Sequence, residues 1–125
     1  MLIDTDVLIW VMRGHAKAAA AVNAAPARGL SVVTFMELLQ GARDQREVKA
    51  IKAFLAGLAL RMLPLTETVG YRASIYMEEH VLSSGLGLAD ALVAATAVEA
   101  NEPLLTANQK HYKAVTDLEI ELFRP

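Results

Sequence analysis

Short apolar runs along the chain alternate with longer stretches in which apolar residues recur every three or four positions. The short runs predict buried strands and the periodic stretches predict helices packed by one face. The predicted strands are residues 1–3, 30–33, 60–65, 103–106 and, as an edge strand, 118–123. The predicted helices are residues 5–12, 15–25, 34–42, 43–57, 66–82 and 88–100, with a helical turn at 108–112.

This alternation of strand and helix is typical of a parallel sheet with helices on both faces. The predicted fold is therefore α/β, with a small central parallel sheet flanked by helices in three layers. The chain has 125 residues and no internal repeat or linker, which suits a single domain over residues 1–125.

Four polar residues each follow a short apolar run, at the point where a helix is predicted to begin. They are Asp4, Glu37, Asp90 and Asn108. Residues at that point of a parallel sheet converge on one crevice at its carboxyl edge. Crowded carboxylates repel one another, and oxygen ligands of this kind favour Mg²⁺ or Mn²⁺. The pattern predicts a metal site formed by Asp4, Glu37 and Asp90, suited to hydrolysis of a phosphodiester bond.

Each of these residues also has a purely structural interpretation. Asp4 has the position of a helix N-cap, with Asp6 placed to complement the helix dipole. Thr34 and Glu37 have the spacing of a capping box. Asp90 interrupts an apolar helix, where a carboxylate needs a partner charge, hydrogen bonds or a metal, but it also suits a first helical turn.

The last polar segment, TANQKHY, leaves similar alternatives open. Thr106 and Gln109 have capping-box spacing, while Asn108 suits the positioning of a metal-bound water. Lys110 and His111 follow directly and are candidates for contact with a phosphate or for ordinary exposed surface.

Composition narrows the class of protein. The absence of cysteine excludes a disulfide framework, a thiolate zinc site and a cysteine nucleophile, and it fits a cytoplasmic location. We expect neither a signal peptide nor a membrane-spanning segment. A net charge of −2 argues against tight nonspecific duplex binding. The apolar fraction of 54% suggests a surface covered by a partner or a second copy.

The segments DTDVLIW, VVTFMELLQGA, GLGLADALVAATA and LLTANQKHY together resemble PIN-domain ribonucleases, most closely the VapC-type toxins of toxin–antitoxin pairs. The resemblance implies that Asp4, Glu37 and Asp90 bind Mg²⁺ or Mn²⁺. It places Asn108 and His111 where the family often has a fourth acidic residue, which favours one metal ion in the free protein. Asp6, Thr34 and Thr106 match supporting positions.

The resemblance also implies partners. The family is typically dimeric, cleaves RNA and is inhibited by a cognate antitoxin whose tail lies in an apolar groove. Four exposed cations and one histidine are candidates to contact RNA or to be plain surface residues: Arg13, Lys17, Arg43, Lys110 and His111.

Two other classes of function stay open from the residues alone. Asn108, in place of an acid, allows a non-catalytic RNA- or partner-binding module on the same fold. The short motif Asp4-Thr5-Asp6 also occurs in haloacid-dehalogenase-type phosphatases, but Asn108 and Lys110 substitute poorly for the lysine and acidic pair of that class.

Overall fold

A single five-stranded sheet forms the centre of the molecule, in the strand order β3-β2-β1-β4-β5. The computed structural model describes all residues from 1 to 125. The strands are β1 Leu2–Ile3, β2 Gly29–Ser31, β3 Arg61–Leu63, β4 Leu104–Thr106 and β5 Ile120–Leu122. Every neighbouring pair is parallel, and β5 lies at an edge, as predicted.

Helices cover both faces of this sheet, which confirms the predicted three-layer α/β architecture. They are α1 Thr5–Met12, α2 Ala16–Ala24, α3 Val32–Gln40, α4 Gln45–Gly57, α5 Glu67–Ser84, α6 Leu88–Glu99 and the short α7 Gln109–Tyr112. None of them has both the length and the apolarity needed to cross a membrane.

Two hydrophobic cores lie on opposite faces of the sheet, and successive strand residues point into different cores. Leu2 belongs to the core beneath α5 and α6, whereas Ile3 belongs to the core beneath α1 and α4. Leu104 and Leu105 on β4 divide in the same way. Because side chains alternate along a strand, a strand buried on both faces must be apolar throughout. This explains why the central strands β1 and β4 appear in the sequence as continuous apolar runs.

The junction between β2 and α3 differs from the prediction. The strand ends at Ser31 rather than at Val33, and the helix begins at Val32 rather than at Thr34. The hydroxyl of Ser31 accepts a hydrogen bond from the amide of Val33, so it caps the helix. Local capping therefore outweighs the strand preference of the two valines.

Neither suggested capping box forms. Thr34 lies inside the first turn of α3 and is fully buried, so it cannot cap that helix for Glu37. Thr106 is the last residue of β4, and its hydroxyl accepts a hydrogen bond from the amide of Asn108 rather than from that of Gln109. Both threonines face the carboxyl edge of the sheet instead.

Candidate active site

The candidate site lies at the carboxyl ends of β1 and β4, in the middle of the sheet. From β1 the chain moves to β2 on one side, while β4 returns to the other side of β1. This is the topological switch point, where parallel α/β sheets form their ligand crevice. Asp4 directly follows β1, and Thr106 ends β4 beside it.

Asp4 is the buried centre of the site, with 6% of its surface exposed. Its Oδ1 accepts a hydrogen bond from the amide of Thr5 at 2.9 Å, as an N-cap does. Its Oδ2 accepts from the hydroxyls of Thr106 at 2.8 Å and Tyr112 at 2.9 Å. Burial, and then the charge of Asp6, raise the pKa of Asp4 to about 6, although these donors oppose the shift. Asp4 therefore combines the predicted cap with a carboxylate whose negative charge is poorly compensated.

Asp6 joins the first helix to the loop after β4. Its Oδ2 accepts a hydrogen bond from the amide of Ala107 at 3.0 Å, and its Oδ1 accepts from the amide of Val7 at 2.8 Å. Burial raises the pKa of Asp6 despite these two donors. Asp6, which was predicted to support the site, thus lies beside Asp4. Its negative charge makes ionisation of Asp4 less favourable.

Asp90 reaches the same site from the first turn of α6. Its Oδ1 lies 3.3 Å from the hydroxyl of Tyr112, which also contacts Asp4. Its Oδ2 lies 3.4 Å from Nδ1 of His111. Burial raises the pKa of Asp90, and the nearby His111 and Tyr112 lower it by smaller amounts. Tyr112 is therefore the link between the acid after β1 and the acid on α6.

Glu37, on α3, is joined to Asp4 only through an intervening residue, Thr5. The hydroxyl of Thr5 donates to Oε1 of Glu37 at 2.7 Å and lies 3.1 Å from the hydroxyl of Thr34. Since the amide of Thr5 is bonded to Asp4, Thr5 connects the two acids without direct contact between them. One hydrogen-bonded network thus extends from Glu37 through Asp4 to Asp90.

The remaining predicted residues lie outside this network or at its rim. The side chain of Asn108 is exposed and makes no hydrogen bond. Lys17 and Lys110 are exposed, Arg43 is paired with Glu47, and only His111 contacts a site acid. The catalytic and RNA-contact roles predicted for these residues stay predictions.

Two residues that the sequence did not single out for chemistry hold the site together, namely Thr5 and Tyr112. For Tyr112, the one signal in the sequence was that a tyrosine, once buried, requires a polar partner for its hydroxyl. Thr5 offered no comparable signal, because a threonine in a first helical turn is common on the surface.

The charges in the network are not balanced by lysine or arginine. Asp4, Asp6, Asp90 and Glu37 form no ion pair with either residue type, and the only ionic contact is that of His111 with Asp90. No three acidic or histidine side chains are gathered into a ready-made metal cluster. Mg²⁺ commonly takes only one or two carboxylates and keeps several waters. The oxygen donors present therefore fit such an ion, with Asp4 and Asp90 as the pair that shares the hydroxyl of Tyr112.

Comparison with known proteins agrees with this geometry. The PIN domain family matches residues 1–116. Ribonuclease VapC10 of Mycobacterium tuberculosis is 36% identical over 118 residues, which cover 90% of this chain and 85% of that protein. Ribonuclease VapC19 of the same species is 31% identical over 126 residues, covering 94% of this chain and 96% of that protein.

Solved structures show the same fold. A toxin–antitoxin complex from Klebsiella pneumoniae contains a chain with a TM-score of 0.78 and 25% identity, covering 94% of this chain and 93% of that one. VapBC2 from Rickettsia felis, bound to a promoter DNA fragment, gives a TM-score of 0.79 at 17% identity, with 98% of each chain covered. The chain belongs to the PIN-domain family and, within it, to the VapC group.

Proposed function

We propose that this protein is a VapC-type endoribonuclease toxin that uses Mg²⁺ or Mn²⁺ to hydrolyse phosphodiester bonds in RNA. The observation that carries the proposal is the group of four acids, Asp4, Asp6, Asp90 and Glu37, joined by hydroxyls and amides with no lysine or arginine to balance them. Such a site needs positive charge to keep its carboxylates ionised. The relatives named ribonucleases support RNA as the substrate.

The residues that would hold the ion can be inferred from the carboxylate oxygens that still have a lone pair free. Asp4 Oδ2 already accepts two hydrogen bonds, whereas Asp4 Oδ1 accepts only one and keeps a lone pair. Asp4 Oδ1 and the carboxylate of Asp90 would therefore bind the cation, and Glu37 would act through water. When bound, Mg²⁺ or Mn²⁺ supplies positive charge for the phosphate and polarises the attacking water.

The protein's own groups orient the site and surround the substrate. The hydroxyls of Thr106 and Tyr112 donate to Asp4 Oδ2 and fix its carboxylate, and the amide of Ala107 fixes that of Asp6. His111 is exposed at the rim beside Asp90 and is placed to meet a substrate phosphate. We assign Arg13, Arg43 and Lys110, all exposed, to the surrounding RNA-binding surface, with Asn108 near the attacking water.

Inhibition by a cognate antitoxin is the second part of the proposal. A groove of about 540 Å³ between α1, α3 and α4 is lined by apolar residues and opens beside Glu37 and Arg13. It suits an apolar antitoxin segment that ends at the acidic site, and the related Klebsiella pneumoniae chain is itself part of a toxin–antitoxin complex. We further propose a homodimer through the exposed apolar residues of α5 and the start of α6, which are Tyr71, Val81, Leu82 and Leu88.

Cleavage assays with single isosteric changes test the enzymatic proposal. Asp4→Asn and Asp90→Asn should each lower the rate of RNA cleavage in Mn²⁺ by at least about a hundredfold, because loss of even an outer partner of a metal site costs 10–100-fold. Glu119→Gln removes one exposed acid outside the site and is the matched control, with unchanged cleavage expected. Undiminished cleavage in EDTA, or by the Asp90→Asn variant, would contradict the proposal.

A non-catalytic RNA-binding module is the second candidate. The exposed Asn108 and the lack of a ready-made cluster of three acids favour it. A titration distinguishes the two functions: RNA binding without any Mn²⁺ binding at millimolar concentration supports the module, whereas Mn²⁺ binding that is lost in the Asp90→Asn variant supports the nuclease.

A further inference from the structure

The phenol of Tyr112 occupies an unusual place for a core aromatic residue. Tyr112 is 1% exposed, and its ring packs in the core formed with α5 and α6. Its hydroxyl, however, contacts only the carboxylates of Asp4 and Asp90. A phenylalanine would fill the same core volume, so the hydroxyl contributes something that packing does not require.

The geometry at the hydroxyl explains what this contribution is. Asp4 Oδ2 lies 2.9 Å from the phenolic oxygen and Asp90 Oδ1 lies 3.3 Å from it, so acids from two distant parts of the chain are held around one atom. A phenol has a single proton to donate. The shorter distance gives Asp4 the main share of that proton, and Asp90 accepts the longer arm of a three-centre hydrogen bond.

The donors also determine which oxygen of Asp4 stays available. Thr106 and Tyr112 together fill Asp4 Oδ2, while the amide of Thr5 takes only one of the two acceptor sites on Oδ1. Without the phenol, Asp4 Oδ2 would keep only the hydrogen bond from Thr106, and one of the contacts that hold Asp90 near Asp4 would be lost. The other contact of Asp90, with the exposed His111, is longer at 3.4 Å.

We propose that Tyr112 is a positioning residue of the metal centre, whose hydroxyl holds one oxygen each of Asp4 and Asp90 and so presents Asp4 Oδ1 to the cation. This inference rests on the proposed metal-dependent function. It assigns Tyr112 no contact with substrate or with the ion itself. Partners of this outer kind orient the ligands of metal sites, and their loss typically weakens metal binding 10–100-fold.

Calorimetric titration with Mn²⁺ in the absence of RNA tests the role of the hydroxyl. Tyr112→Phe should weaken Mn²⁺ binding about 10–100-fold, because it removes the hydroxyl while keeping the ring. Tyr76→Phe is the matched control: Tyr76 also donates its phenol to an aspartate, Asp117, at 2.9 Å, but outside the site. Its Mn²⁺ affinity should equal that of the wild type.

The possible outcomes separate the two proposals. If the wild type binds no Mn²⁺, the proposed metal-dependent function fails. If the wild type binds Mn²⁺ and Tyr112→Phe binds it within about threefold of the same affinity, or more tightly, the role of Tyr112 is refuted, since that change lies below the expected range.

A measurement on the wild type does not depend on the folding of any variant. The chain has three tyrosines, Tyr71, Tyr76 and Tyr112, so carbon-13 labelling at the ring carbon that bears the hydroxyl gives three resonances. Addition of Mg²⁺ should shift the resonance of Tyr112 and leave those of Tyr71 and Tyr76 in place. Saturation with Mg²⁺ that leaves Tyr112 unshifted would overturn the inference.

Discussion

The raised pKa of Asp4 predicts that this one carboxylate destabilises the metal-free protein at neutral pH. Burial and the charge of Asp6 raise its pKa from 3.8 to about 6. Because the pKa is higher in the folded than in the unfolded state, the favourable contribution is complete below pH 3.8 and is lost as the pH rises through 6. Replacement by asparagine removes this dependence while keeping the size of the side chain.

The size of the effect follows from the two pKa values. The full difference corresponds to about 3 kcal/mol of unfolding free energy, since one pKa unit is worth about 1.4 kcal/mol. Over the accessible range from about pH 4.5 to about pH 7.5, about 2 kcal/mol of this should be lost. The wild type should therefore lose about 2 kcal/mol relative to Asp4→Asn over that range.

Urea unfolding in EDTA, followed by circular dichroism at several pH values, measures this difference. The asparagine cannot accept the same set of hydrogen bonds, so its absolute stability will differ from that of the wild type by a constant amount. The informative quantity is the difference in unfolding free energy between the wild type and Asp4→Asn, followed as the pH changes. A difference that stays constant from pH 4.5 to pH 7.5, or that changes in favour of the wild type, would refute the reasoning. Saturating Mn²⁺ should stabilise the wild type alone, by about 2.7 kcal/mol at a hundred times its Kd.

Two further predictions concern the fold that positions the site. Gly29→Ala should destabilise the protein by about 1–3 kcal/mol in thermal or urea unfolding, because a Cβ at this position would lie 2.9 Å from the carbonyl oxygen of Arg61 on the neighbouring strand. Gly70→Ala, in open space on α5, should instead stabilise it by about 0.5–1 kcal/mol, and equal effects would contradict the argument. Leu8→Ala should cost about 2–5 kcal/mol because Leu8 is fully buried. Leu82→Ala, at a residue that is 98% exposed, should change the unfolding free energy of the monomer by less than about 0.5 kcal/mol.

The architecture could be predicted from the sequence because its signals are local and repeated. The end of each predicted strand coincides with a polar residue or a turn, and one or two helices separate each strand from the next. The β2–α3 junction could not be placed correctly, since Val32 and Val33 suit a strand and Ser31 suits a cap. The hydrogen bond from the amide of Val33 to the hydroxyl of Ser31 decides that competition in favour of the helix.

Asp4 meets Asp90 at the carboxyl edge of the sheet, but only Asp4 comes there from the end of a strand. Asp90 comes from the start of α6, which follows α5 and not a strand. The distance of Glu37 from that pair was not predictable. Glu37 contacts the hydroxyl of Thr5 and not Asp4 itself, and no pattern in the sequence indicates that a threonine separates the two acids. The exposure of Asn108 also depends on the way α7 docks, and its sequence neighbours gave no indication of it.

Hydroxyl groups explain why the acids share one network without forming a tight cluster. Thr5 separates Asp4 from Glu37, and Tyr112 separates Asp4 from Asp90, so each of these two pairs of carboxylates has a donor between them. In a buried site with no lysine or arginine, direct contact between carboxylates would force one of them to take up a proton. The intervening donors allow these acids to stay near one another without a cation. The hydroxyls of Thr5 and Tyr112 therefore keep the metal-free site assembled, and they belong to the candidate active site as much as the acids do.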